Sequence, residues 1–186
     1  MSTSEELSKA YSGLFGEQVV VKRGGKGKSV IILAKQRSKR DPTEKQIAHR
    51  ERLSLAAEYG RKAIQDPALK EMYANRAKKG VSVFRTAAND FLQMPFISDV
   101  DMSEYHGNPG DGIRISAGDK IGLREVRAKL LAPDGNLVES GPCVRDLPTT
   151  RYIYTATVQI SDTTGMSVAV TIRDIPGNVV EKLITL

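Results

Sequence analysis

Two histidines and one cysteine are the main side chains in this 186-residue sequence suited to proton shuttling or nucleophilic attack near neutral pH. His49 sits among basic residues on a helix-like stretch, a poor setting for a general base. Cys143, between Pro142 and Val144 in a strand-like run, reads as a small apolar residue. One cysteine and two scattered histidines cannot assemble a structural zinc site of the usual kind, and no serine stands in a nucleophile elbow. The densest oxygen ligands lie in Asp99-Val-Asp101-Met-Ser-Glu104-Tyr-His106-Gly-Asn108-Pro-Gly-Asp111. As a linear calcium loop this run fails, because Glu104 stands where the glycine is needed and Gly110 where the closing glutamate belongs. An acidic, turn-rich linker is expected there. No catalytic residue, metal site or cofactor is expected.

The segment Gly24-Gly-Lys-Gly27-Lys28-Ser29 invites comparison with a phosphate loop. That motif needs a glycine five residues before Gly27, where Lys22 stands, and a helix whose first amides face the phosphates. Val30-Ile-Ile-Leu33 follows instead, so the glycines read as the tip of a β-hairpin between two β-branched runs. What the segment does offer is charge. Lys22, Arg23, Lys26, Lys28, Lys35, Arg37, Lys39 and Arg40 occur with no acid between Glu17 and Asp41. These eight are the candidate binding residues, for nucleic-acid phosphate or for an anionic protein partner. No array on the helices resembles a base-reading face, so nucleic-acid binding is expected to be sequence-independent.

The charge is unevenly distributed. Residues 1–95 carry 19 Lys+Arg and 10 Asp+Glu, and residues 96–186 carry 9 and 12. Composition changes at the same point, from Ala, Lys, Arg and Glu to Val, Ile, Thr and Gly, and Pro95 disfavours helix at Met94. Two domains are therefore expected, a basic hairpin and helical region over 1–95 and a β domain over 96–186. No apolar run is long enough for a membrane helix, and the polar start MSTSEELSKAYSGLFGE does not read as a secretory signal. With one cysteine, the expectation is a reducing, cytoplasmic location, with non-classical export or virion association left open.

Local signals place the elements. Thr3 and Glu6 have capping-box spacing, and Leu7, Tyr11, Leu14 and Phe15 predict a short amphipathic helix. Asp41-Pro42-Thr43-Glu44 predicts a helix start running to about Gln65, with Leu53, Ala56, Ala57, Gly60 and Ile64 along one stripe. Asp66-Pro67 opens a second helix, with Leu69, Met72, Tyr73 and Ala77 on one face and an end at Lys78-Lys79-Gly80. Ser82 caps a third, carrying Phe84, Ala87, Ala88, Phe91 and Leu92. The run from Asp66 to Lys79 resembles the later helix of an HMG box over about a dozen residues, without that family's tryptophan or a base-prying wedge.

Beyond Phe96 the period changes to two. Ile113/Ile115, Val126/Ala128/Leu130, Tyr152/Tyr154/Ala156/Val158/Ile160 and Val168/Val170/Ile172 form inward stripes, separated by turns at Pro133–Asn136 and Asp162–Gly165. About seven strands are expected, as in an immunoglobulin-like sandwich. Tyr152-x-Tyr154-Thr-Ala-Thr157, followed by a strand and Asp174-Ile-Pro-Gly177-Asn178, resembles the closing strands of bacterial Ig-like, fibronectin-III-like and cadherin-like modules. The whole chain is similar to an uncharacterised bacterial family that joins a basic helical region to such a sandwich. The resemblance implies a binding, spacing or assembly role and no activity.

The fold class expected is α+β: an N-terminal β-hairpin and small helical bundle, then an Ig-like antiparallel β-sandwich. The function expected is non-enzymatic binding or assembly, with a protein partner or self-assembly through the basic arm and no membrane. Sequence-independent nucleic-acid binding by the same arm is the alternative.

Overall fold

The structure, a computed structural model, describes residues 41–186 and three short strands before them. The chain forms two compact units, Met1–Thr43 and Glu44–Leu186. In the first, β1 (Gly13–Phe15) pairs antiparallel with β2 (Val19–Arg23), and β2 with β3 (Ser29–Leu33), Arg23 facing Ser29. Leu14 and Phe15, expected on a helix, lie instead in β1 opposite Val20 and Val19. Gly13 is a weak helix former, and a valine-rich neighbour supplies the alternative pairing. The rest of the expected first helix and the glycine tip lie outside the described residues.

The second unit opens with three helices, α1 (Glu44–Gln65), α2 (Pro67–Arg76) and α3 (Val83–Leu92). α1 begins at Glu44, so Asp41 and Pro42 precede the helix rather than cap and open it. Thr43 and Gln46 have the capping-box spacing that marks this start. Asp66 caps α2 as expected, its Oδ1 accepting from the amides of Ala68 and Leu69 at 2.9 and 3.2 Å, with Pro67 in the first turn. Ser82 caps α3, its Oγ accepting from Arg85 N at 3.2 Å. α2 stops at Arg76, short of the expected Lys78–Gly80 end, and Gly80 takes a positive φ of 83° in the turn that follows.

The helices meet through small residues. Ala56, Gly60 and Ala63 are buried on α1, whereas Leu53 and Ile64, expected on that stripe, are exposed. The reason is close approach: a Cβ at Gly60 would lie 2.9 Å from two ring carbons of Phe84 and 3.1 Å from its carbonyl. A leucine-lined seam would hold α1 and α3 too far apart for that contact. Tyr73 of α2 and Ala87 of α3 complete the small core, and Tyr59, Leu69, Met72 and Val83 pack around it.

The remaining strands are β4 (Phe96–Asp101), β5 (Gly112–Gly118), β6 (Leu123–Leu131), β7 (Leu137–Pro142), β8 (Val144–Asp146), β9 (Arg151–Thr155), β10 (Ser167–Asp174) and β11 (Val179–Thr185). They form two four-stranded antiparallel sheets, ordered β11-β10-β6-β7 and β4-β5-β9-β8, packed face to face as a sandwich. The inward stripes are those of the sequence pattern: Ile113, Ile115, Ala128, Leu130, Val168, Val170 and Ile172 are fully buried. The chain changes sheets at Cys143, between β7 and β8, where Cys143 N donates to Val126 O at 2.8 Å.

One stripe breaks. β9 ends at Thr155, Ala156 is buried, and Val158 is exposed. The segment leaves the sheet because its backbone is taken by the acidic loop: Gly110 N donates to Ala156 O, Ala156 N to Asp111 O, and Ile160 N to Gly107 O, at 2.7–2.9 Å. Period-two patterning reports burial on one side and does not say which backbone supplies the partners.

Gly60→Val places two methyls into the Phe84 contact. A loss of about 2–3 kcal/mol is expected, a fall in Tm of roughly 5–10 °C by circular dichroism. An unchanged Tm would mean that α1 and α3 do not approach as described.

Candidate functional site

The helical layer and the sandwich meet at one joint within the second unit. Ile121, from the β5–β6 turn, and Ile175, from the β10–β11 turn, pack against the helical core. The β10–β11 turn also holds the end of α3. Asn178 Nδ2 donates to Phe91 O at 3.1 Å, Gln93 O at 3.0 Å and Asp174 Oδ2 at 2.7 Å. Asp174, wholly buried, accepts from Gly177 N at 2.8 Å and Asn178 N at 2.6 Å through Oδ1. Gly177, at φ 102°, provides the left-handed step that closes this turn.

Beside the clasp lies a buried relay across the three helices. The Tyr73 hydroxyl donates to Asp90 Oδ2 at 2.7 Å, and the Tyr59 and Tyr73 hydroxyls are 2.8 Å apart. With the Tyr73 proton committed to Asp90, Tyr59 is the donor in that second bond. Asp90 is 1% exposed, and its Oδ1 has no hydrogen-bond partner. Burial raises its pKa to about 6 despite the Tyr73 bond, with Asp119 and Asp174 adding to the rise and Lys120 opposing it. Asp174 is also raised, by burial first, in spite of its three donors.

Asp90 lines a cleft of about 290 Å³ with Arg76, Lys78, Arg85, Lys120 and Asn89. These cations come from the end of α2, the α2–α3 connection, the first turn of α3 and the β5–β6 turn. On its other side Arg76 borders a second cleft, of about 320 Å³, with Asp119, Arg145 and Tyr152. Sequence reasoning missed this cluster because its members are scattered over 45 positions, from Arg76 to Lys120. Lys78-Lys79 was its only local signal.

The candidates expected from sequence are other residues. Lys22 and Arg23 are in β2, while Lys26, Lys28, Lys35, Arg37, Lys39 and Arg40 lie outside the described residues. The acidic segment turns its carboxylates onto itself. Asp101 Oδ1 accepts from Ser103 N at 3.0 Å, and Asp111 Oδ2 from His106 N at 2.7 Å and Asn108 N at 2.9 Å. The Ser103 hydroxyl and amide hold Asp101 below the usual carboxylate range, and the amides of Asn108 and His106 do the same for Asp111. Glu104 pairs with Arg114 at 2.6 Å. Among the described residues no group of three His, Cys, Asp or Glu side chains is placed to hold a metal ion. His49 lies on the exposed first half of α1 and His106 in the loop. Burial pushes the Cys143 thiol up to about 12.

A second buried carboxylate sits in the sandwich. Glu139 Oε2 accepts from Thr157 N at 2.9 Å and Thr157 Oγ1 at 2.7 Å, while its Oε1 and the Tyr105 hydroxyl are buried without partners. Burial, and then the charge of Glu139, raises the pKa of Tyr154 and of Tyr105. Among the described residues no helix is long and apolar enough to cross a membrane. No protein-family model, curated protein or solved structure matches the chain.

Two outcomes follow from the joint. Asn178→Ala strips the donor from two α3 carbonyls and from Asp174, and a loss of about 2 kcal/mol is expected in urea unfolding. For Asp90 the folded state holds its proton more tightly than the unfolded chain. Its contribution is therefore fully present below pH about 4 and is lost as pH rises through 6. Asp90→Asn keeps an acceptor for Tyr73, so the gain in stability between pH 7.5 and pH 4.5 should shrink by up to about 2 kcal/mol. Identical pH slopes in the two proteins would overturn the assignment.

Proposed function

We propose that this chain is a non-enzymatic binding or assembly protein. Its β domain serves as an immunoglobulin-like docking module, and its Lys22–Arg40 arm grips an anionic partner or a neighbouring subunit. The strand order supports the immunoglobulin-like reading. With β4, β5, β6, β7, β8, β9, β10 and β11 taken as A, B, C, C′, D, E, F and G, the sheets read A-B-E-D and G-F-C-C′. Such modules use edges and loops to bind, and fold alone does not decide the partner.

The observation that carries the arm's role is its charge: eight Lys and Arg between Glu17 and Asp41, with no acid to neutralise them. A density of this kind favours a polyanion or an acidic protein surface. It equally favours the second reading, sequence-independent nucleic-acid binding, in which the same side chains displace counterions from phosphate. The protonated, partly buried Cys143 and the separated His49 and His106 supply no nucleophile–base pair, which supports the non-enzymatic reading. A single cysteine fits a reducing, cytoplasmic setting.

Fluorescence anisotropy on a mixed-sequence duplex and a single strand, at about 50 and 200 mM salt, separates the readings when combined with light scattering. Under the assembly reading the protein scatters as an oligomer or captures an acidic protein, and DNA does not bind at low salt. Replacing Lys22, Arg23, Lys26 and Lys28 with alanine then dissolves the oligomer or complex. Under the nucleic-acid reading binding is micromolar and salt-sensitive, and the same variant weakens all sequences alike and lowers the salt slope by up to about 4. A monomer with neither behaviour would overturn both.

A further inference from the structure

The cations around Asp90 form a positively charged surface built from residues other than those of the arm. Arg76, Lys78, Arg85 and Lys120 line one cleft, and among the described residues Asp90 is the only acid in its lining. None of the four is in an ion pair among the described residues. Four like charges gathered from two helices and two connections repel one another, so an anion bound among them relieves a cost built into the fold. The floor asks for something different. Asp90 Oδ1 is buried without a donor, and a carboxylate titrating at about 6 is ionised and accepts only at pH 7.5.

These two demands do not suit one simple ion. Phosphate or sulfate alone would meet the rim and face a like charge at the floor. A neutral polyol would meet the floor and leave the rim uncompensated. We propose that this cleft binds a small organic phosphate carrying a hydroxyl or amino group, its phosphate held by Arg76, Lys78, Arg85 and Lys120 and its donor by Asp90 Oδ1. Charge-assisted bonds at both ends give the site its orientation, since reversing the ligand would set phosphate against carboxylate. The cleft's 290 Å³ is at the small end of ligand cavities and suits a phosphorylated sugar or amino alcohol. Oδ1 is buried, so the donor reaches it only as lining side chains shift, and Arg85 and Lys120 are long and exposed there.

Isothermal titration calorimetry on the full chain tests this with ribose 5-phosphate and phosphoethanolamine, against inorganic phosphate and ribose. At least one of the two organic phosphates should bind tenfold or more tightly than inorganic phosphate, and ribose should not bind. Arg85→Ala with Lys120→Ala, both exposed positions, should weaken that binding tenfold or more. Asp90→Asn should bring the organic phosphate down to the level of inorganic phosphate. Alanine at Lys22, Arg23, Lys26 and Lys28 should leave it unchanged, which separates the cleft from the arm. No binding of either organic phosphate up to about 10 mM, or a preference over inorganic phosphate below tenfold, would overturn the proposal. So would binding that the Arg85/Lys120 variant leaves intact. Should Asp90→Asn fail to fold, the Arg85/Lys120 variant and the preference for organic over inorganic phosphate still decide.

Discussion

A helix that ends against a second structural layer must give its last carbonyls donors, and α3 obtains them from the side-chain amide of Asn178 and, at Leu92 O, from Arg52 of α1 at 3.1 Å. Asn178 reaches Phe91 O and Gln93 O from the turn between the last two strands, 85 and more positions along the chain. Its own orientation is fixed by Asp174, which also ties the turn's amides. Ile175 then enters the helical core from the same turn, and Ile121 from the β5–β6 turn. The position of α3 sets the Tyr59–Tyr73–Asp90 relay and, through Gly60 and Phe84, the approach of α1. Helices and sandwich are in this sense one folding unit, although their sequence patterns change sharply at Pro95.

The joint is also where the chain accepts electrostatic cost. Burial raises both Asp90 and Asp174, the charges of Asp119 and Asp174 add to the rise at Asp90, and that of Asp119 adds to it at Asp174. Asp174 answers with three hydrogen bonds, and Asp119 with the amides of Ile121 and Gly122 at 2.8 and 3.1 Å. Asp90 has only Tyr73 and an uncompensated oxygen. A buried carboxylate with an unpartnered oxygen usually marks strain retained for a purpose or a group that a ligand completes. The cations on the rim beside it favour the second account.

Much of this fold is legible in the sequence, and the exceptions have physical causes. Asp66-Pro67 and Ser82 announce their helices because capping is local chemistry, and Ile113/Ile115 or Val168/Val170/Ile172 announce inward faces because strand burial has a period of two. The apolar pattern puts the α1 stripe at Leu53 and Ile64, which are exposed, because apolar size is a poor guide where Gly60 and Ala63 let a neighbour come close. Val158 misled because the loop at Gly107–Asp111 claims the backbone of that segment. Asp174-x-x-Gly177-Asn178 was visible as a turn, but nothing in five residues reveals that its amide reaches α3. Asp90 was invisible as a buried acid, since the apolar face of α3 gives no sign that a tyrosine of α2 waits for it. The arm's charge was the loudest signal in the sequence, and it lies mostly outside the described residues.

Native-state hydrogen exchange tests the central claim, that the α3 clasp makes helices and sandwich a single cooperative unit. Backbone amides in α3, at Ala87 and Phe91, and in β10, at Val170 and Ile172, should open with the same free energy and the same denaturant dependence. Exchange from α3 at a markedly lower free energy, with β10 still protected, would mean that the helices open alone, and would contradict the account.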